Sequence, residues 1–175
     1  IASDYADAYY SRGLVYERKN ESQLAIVEYE KAVAVNSKYK NAYFNRGMIY
    51  LQQGNYELAI ADFNSVIEIS PNDIGAYINL GEIHRKQGDF ELALSNLNKA
   101  IELDPNEPVA YFGRGLVYYD KEKLREAIED FHKSLALRED AQTYCFLGNS
   151  YMRLDEYANA IPFLEQGVKL DKNDQ

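Results

Sequence analysis

The 175-residue chain sets 28 acidic against 19 basic residues, a formal net charge of -9. It shows no basic stripe of the kind that neutralises phosphates, which argues against a nucleic-acid partner and an anionic membrane surface. No run approaches the roughly 18 apolar residues of a membrane span, so membrane insertion is not expected. The one cysteine, Cys145, rules out an internal disulfide and fits a reducing compartment, which points to the cytoplasm. The chain opens at Ile1 rather than Met, as a processed chain or a piece of a larger parent would.

In chain order, Ser3 or Asp4 is placed to cap the first helix by accepting a free backbone N–H. Apolar periodicity predicts helices over 7–19, 22–35, 41–53, 56–69 and 75–87, then over 90–103, 109–121, 124–137, 142–154 and 157–170. Gly54 and Gly88 fall where the first helix of a pair must end on a left-handed residue, and Asn55 and Asp89 are placed to cap the helix that follows. Asn20 takes the same backbone shape, whereas Glu122 and Asp155 are poorer choices, so looser turns are expected there. Pro71 and Pro105 stop their helices. Arg138, Glu139 and Asp140 replace that signal in the fourth unit. Pro162 is expected near the first turn of the last helix, where a missing N–H has little consequence.

The helices recur in pairs with a 34-residue step. Tyr43, Gly47, Tyr50, Ala59 and Phe63 return as Tyr77, Gly81, His84, Ala93 and Leu97, and again as Tyr111, Gly115, Tyr118, Ala127 and Phe131. One step back stand Tyr9, Gly13, Tyr16, Ala25 and Tyr29; a 33-residue step forward gives Tyr144, Gly148, Tyr151, Ala160 and Leu164. Such a period means a stacked array in which each unit touches only its neighbours. The residue before the glycine is Arg12, Arg46 and Arg114 in three units and Leu80 and Leu147 in two.

This pattern resembles the tetratricopeptide repeat family over nearly all of 6–174. The resemblance implies an all-α fold, a right-handed superhelix of antiparallel helix pairs. It further implies one array over 1–175, with repeats at about 6–39, 40–73, 74–107, 108–140 and 141–174. In the family the first helices line a concave groove and activity is limited to binding, so no enzyme, cofactor or metal is expected.

If the repeat glycine is numbered place 8, places 4, 8 and 11 of each first helix share one face. The glycines are expected where the paired helix passes closest, small against the small alanines of the second helices. Nine of the 16 tyrosines lie at places 4 and 11 and read as packing. A surplus of apolar residues forms a second stripe. It runs through Tyr10 and Leu14, then Phe44, Met48 and Leu51, then Ile78. Phe112, Leu116 and Tyr119 continue it, followed by Phe146 and Met152. The family resemblance puts this face in the groove, as an apolar channel for an extended or helical peptide, with part of it packing against the next unit. Asn45 and Asn79 stand one unit apart, and Asn149 three places later in the last unit. A side-chain amide both donates and accepts, which suits a peptide backbone.

The chaperone-binding members of the family clamp a carboxylate with lysine and arginine. The corresponding places here hold Tyr10, Gly75 and Asn79, or Phe44, Val109 and Gly113, or Ile78, Gln142 and Phe146, none of them cationic. Arg18, Arg85, Lys86 and Arg153 remain to meet an acidic partner at the rim. His84, His132 and Cys145, the last expected to face the groove, do not converge on one point. Ile161, Phe163, Leu164 and Val168 leave the last helix apolar and uncapped, which points to a longer parent or to docking of a second copy. The reading is therefore a noncatalytic protein-interaction scaffold. A substrate-recruiting arm of a larger enzyme or assembly factor and a self-assembling module are the alternatives.

Overall fold

The computed structural model describes residues 2–173. Among them are ten helices and no strand: α1 Ala2–Arg18, α2 Ser22–Val35, α3 Lys40–Gln52, α4 Tyr56–Ile69, α5 Ile74–Gln87, α6 Phe90–Leu103, α7 Pro108–Asp120, α8 Leu124–Leu137, α9 Ala141–Arg153 and α10 Tyr157–Asn173. No described helix is long and apolar enough to cross a membrane. The chain divides into two compact units, one up to Asn79 and one from Leu80.

In the first unit, α1 pairs with α2 and α3 with α4. Ala25, Ile26, Tyr29, Ala32, Ala42 and Ile49 make its core, flanked by Tyr9, Tyr10, Tyr16, Val33, Tyr39 and Tyr50. In the second unit, α7 pairs with α8 and α9 with α10. Its cores centre on Ala93, Leu97 and Val117 and on Ala127, Ile128, Phe131 and Leu147.

The repeat glycines do mark closest approach, but against large residues rather than small ones. A methyl on Gly13 would lie 2.4 Å from the Tyr29 ring, on Gly81 2.6 Å from Leu97, on Gly115 2.7 Å from Phe131, and on Gly148 2.6 Å from Leu164. The alanines Ala25, Ala59, Ala93, Ala127 and Ala160 are all buried, one helical turn before that large residue. Each glycine is therefore a socket for a ring or a leucine.

Places 4 and 11 hold half-buried tyrosines, with half-buried His84 at place 11 of the third unit. The fully covered rows of the first helices are instead place 3 (Ala42, Ala76, Ala110, Thr143) and place 10 (Ile49, Ile83, Val117, Ser150). A first helix inside an array is covered on two sides, so its buried arc is wider than one stripe.

The turns correct several expectations. Asn20, Glu122 and Asp155 stand at φ 59°, 58° and 60°, beside Gly54 at 75° and Gly88 at 83°. The N–H that follows the left-handed residue reaches back five residues in every case: Glu21 to Tyr16 O, Asn55 to Tyr50 O, Asp89 to His84 O, Lys123 to Tyr118 O and Glu156 to Tyr151 O, at 2.8–2.9 Å. This is the Schellman closure. The Glu122 and Asp155 turns are as tight as the glycine turns, at a backbone cost of order 1–2 kcal/mol each. Glu122→Gly is thus expected to raise stability by about 1 kcal/mol, read as a higher urea midpoint. The exposed Glu122–Arg153 pair that it removes contributes little.

Asn55 and Asp89 occupy the N-cap positions, yet their side chains make no capping bond. Side-chain caps come from Glu107 to Val109 N, Asp140 to Thr143 N and Asp73 to Ala76 N. Ser3 and Asp4 fall inside α1 rather than before it; their side chains lie outside the described residues. Pro162 is the sixth residue of α10, past the first turn, so the helix loses a backbone bond there and runs on.

Candidate functional site

In the first unit Tyr10, Leu14, Phe44, Met48 and Ile78 are half-buried along the first helices, while Leu51 is buried and belongs to the packing. Between α1, α3 and the start of α5 lies an open cleft of about 370 Å³, lined by Tyr10, Lys40, Asn41, Phe44, Asn45, Asp73 and Gly75. Phe44 stands edge-on to Phe63 with ring centres 5.6 Å apart. Its other flank lies against Gly75, where an added methyl would come within 3.1 Å of the ring. Tyr10 leans on Tyr29 at 5.7 Å and on Tyr39 at 5.2 Å. Lys40 and Asp73 close the cleft with a 2.8 Å ion pair.

The asparagines are already engaged. Asn45 Nδ2 lies 3.3 Å from Tyr10 Oη, 3.4 Å from Tyr29 Oη and 3.5 Å from Glu17 Oε2. Tyr29 in turn donates to Glu17. Burial, reinforced by that bond to Glu17, pushes the Tyr29 phenol well above its ordinary range. Burial likewise raises Tyr10. Burial and the bond to Asp7 push Tyr39 up to about 12. Asn79 Nδ2 donates 2.8 Å to the Gly75 carbonyl of its own helix.

In the second unit Phe112, Leu116, Tyr119 and Phe146 are half-buried, and Asn149 and Met152 are exposed. Their rings form one cluster. Phe112 and Tyr119 meet Phe146 edge-on at 5.8 and 5.5 Å, and both phenylalanines rest on buried Phe131 at 5.9 and 6.0 Å. Arg153 covers Tyr119 at 4.6 Å.

Three of the four cations expected at the rim have internal partners, Arg85 with Asp120 at 2.6 Å, Lys86 with Glu82 at 2.9 Å and Arg153 with Glu122 at 2.9 Å, and the fourth, Arg18, is exposed. Cys145 does not face the groove. Its sulfur lies against Gly167 of α10, where an added methyl would approach it to 3.0 Å. His132 meets Tyr151 Oη at 3.2 Å and Phe163 edge-on at 5.3 Å, and burial lowers its pKa. His84 Nδ1 is buried without a partner. Among the described residues, no three His, Cys, Asp or Glu side chains gather as a metal site would require.

In three units an ion pair with a buried carboxylate joins the first helix to the second, a pairing that the repeat pattern alone did not reveal. Arg46 grips Asp62 through two bonds of 2.9 and 2.6 Å, and Arg114 grips Asp130 at 2.7 and 2.8 Å. Arg12 pairs with Glu28 at 2.6 Å. Each guanidinium also covers the place-4 tyrosine of its unit, at 5.5–5.7 Å. Burial raises the Asp62 pKa against the pull of Arg46. Burial also acts on Glu28, but Lys31 and Arg12 together hold it below the usual range. The signal was a spacing of sixteen, Arg to acid. Where arginine gives way to Leu80 and Leu147, the acid gives way to Asn96 and Phe163.

The TPR repeat model matches residues 18–54 and 81–122, and tetratricopeptide repeat models match 41–73, 108–140 and 141–174. No curated protein matches. Among solved structures, MamA from Desulfovibrio magneticus RS-1 is 23% identical with a TM-score of 0.85, covering 97% of each chain. PilF of Pseudomonas aeruginosa is 22% identical with a TM-score of 0.85, covering 96% of this chain and 77% of its own. YrrB, described as a TPR protein with an unusual peptide-binding site, is 23% identical with a TM-score of 0.71, covering 92% of this chain and 84% of its own.

Proposed function

We propose that this chain, which belongs to the tetratricopeptide repeat family, is a noncatalytic protein-interaction scaffold that holds a partner peptide or helix against the faces of its first helices. The observation that carries the reading is the half-buried aromatic surface of each unit. In the first it is the cleft between Tyr10 and Phe44. In the second it is the cluster of Phe112, Tyr119 and Phe146. Rings fixed by their neighbours and left partly open give contact area at low ordering cost, which is what a peptide anchor requires. The peptide-binding site of YrrB is a precedent within the fold.

The test is selection of peptides from a displayed library on the wild-type chain, followed by titration against Met48→Lys and Leu116→Lys, one change in each unit. Both positions are half-buried, so a lysine can lift its charge into water and leave the fold intact, checked by unchanged melting curves. The expected result is a loss of affinity of about tenfold or more in at least one variant. Unchanged affinity in both, or no enriched peptide, overturns the proposal.

A further inference from the structure

We infer, on the basis of the peptide-binding reading, that the segment held by the first compact unit carries a lysine or arginine. That cation seats at Glu17, beside an apolar residue in the cleft of Tyr10 and Phe44. Glu17 lies two turns beyond Tyr10 on the same face of α1. Its contacts with Tyr29 of α2 and Asn45 of α3 turn it toward the interior of the unit, where it is half-buried. Oε2 accepts from the Tyr29 hydroxyl and, at 3.5 Å, from the Asn45 amide, both neutral donors. Oε1 accepts no bond among the described residues. The one buried side-chain atom left without a partner there is His84 Nδ1, so Oε1 is open to water.

Among the described residues this charge has no counterion. Arg12 and Lys31 are held by Glu28, Lys19 by Glu21 and Lys40 by Asp73. Among the described residues that line the cleft, the one cation is Lys40, and its pairing with Asp73 cancels both charges. Asp7, exposed at the other end of the same face of α1, accepts from the Tyr39 hydroxyl at 2.6 Å. The face is therefore negative at both ends and apolar between them.

Packing does not require the charge. The other repeats carry Leu51, Arg85, Tyr119 and Met152 at place 12, and the Tyr29 hydroxyl needs only an acceptor, which a neutral glutamine would supply. A half-buried carboxylate among neutral groups bears a desolvation cost that an incoming cation offsets. A lysine or arginine can lay its aliphatic stem over Tyr10 and Leu14 and bring its charged end to Oε1. Tyr10 and Glu17 stand about 10 Å apart along the helix, which sets the cation about three residues from the apolar anchor in an extended peptide. The second compact unit offers the contrast: Phe112, Leu116 and Tyr119 hold places 5, 9 and 12 of α7 without any charge.

The experiment is selection from a displayed peptide library on the wild-type chain. An enriched peptide and its version with glutamine in place of the cation are then titrated against wild type and Glu17→Gln. Enriched peptides are expected to carry a lysine or arginine about three residues from an apolar one. On wild type, the glutamine version is expected to bind roughly five- to tenfold more weakly. Raising salt to about 1 M is expected to weaken the parent peptide and leave the glutamine version nearly unchanged. On Glu17→Gln, which keeps an acceptor for Tyr29, the two peptides are expected to bind alike. The peptide and salt comparisons leave the protein untouched and carry the test if Glu17→Gln fails to fold by circular dichroism. Peptides enriched without a basic residue, a parent peptide indifferent to salt, or a folded Glu17→Gln chain that still distinguishes the two peptides overturns the inference and leaves the peptide-binding reading standing. A library that yields no enriched peptide overturns both.

Discussion

Replacing Arg46 with leucine is expected to lower stability by about 3 kcal/mol, because the change strands a carboxylate that the fold has already buried. Asp62 is 3% exposed and is gripped by both arms of the Arg46 guanidinium. With the arginine gone, the carboxylate must ionise unpaired, take up a proton, or pull its helix toward water. Burial already pushes its pKa upward with the arginine present. The protein contains its own control, because the third unit carries Leu80 with Asn96 at the same two places. There Leu80 is buried and Asn96 donates to the Leu92 carbonyl. Arg46→Leu with Asp62→Asn should therefore recover most of the loss. Urea melts of the wild type, both single variants and the double close the cycle. If the double variant is no more stable than Arg46→Leu, the pair is not the unit of stabilisation.

Gly115→Val is expected to cost about 3 kcal/mol, with Gly115→Ala losing about 1–2 kcal/mol despite the roughly 1 kcal/mol that alanine gains in a helix. The added methyl would stand 2.7 Å from Phe131. That ring is wholly buried and held by Phe112 and Phe146, so it has nowhere to retreat. Gly47 is the contrast, since its nearest neighbours would be 3.2–3.3 Å away. Gly47→Ala should be near neutral. Thermal melts of the two alanine variants side by side measure the difference, and equal shifts would mean that the socket geometry does not set the cost.

The periodic residues made the architecture readable, since Tyr43, Gly47 and Ala59 repeat with their spacing and the helix limits follow within a few residues. What the glycine touches was less plain. Spacing shows that a position must be small, but not whether Ala59 or Phe63 fills the room. The turns at Glu122 and Asp155 differ from expectation because residue preference speaks against a left-handed backbone, while the hydrogen bonds to Tyr118 and Tyr151 impose it. The candidate site was legible as an apolar stripe, but the partners of its polar members were not. Asn45 meets Tyr10, Glu17 and Tyr29, residues of two other helices that no single-helix wheel brings together. Cys145 shares place 5 with Phe44 and Phe112, yet its side chain is short and Gly167 opens a hollow beside it. The Arg-to-acid spacing lay in plain view and needed only the second helix to be counted in the same frame.

Asn20, Glu122 and Asp155 each hold a backbone twist that glycine adopts freely. In a repeat array, local gains sum nearly independently across units. The tolerance of this protein to heat is accordingly adjustable at three surface loops, in small separate increments, with every residue of the two aromatic faces left as it stands.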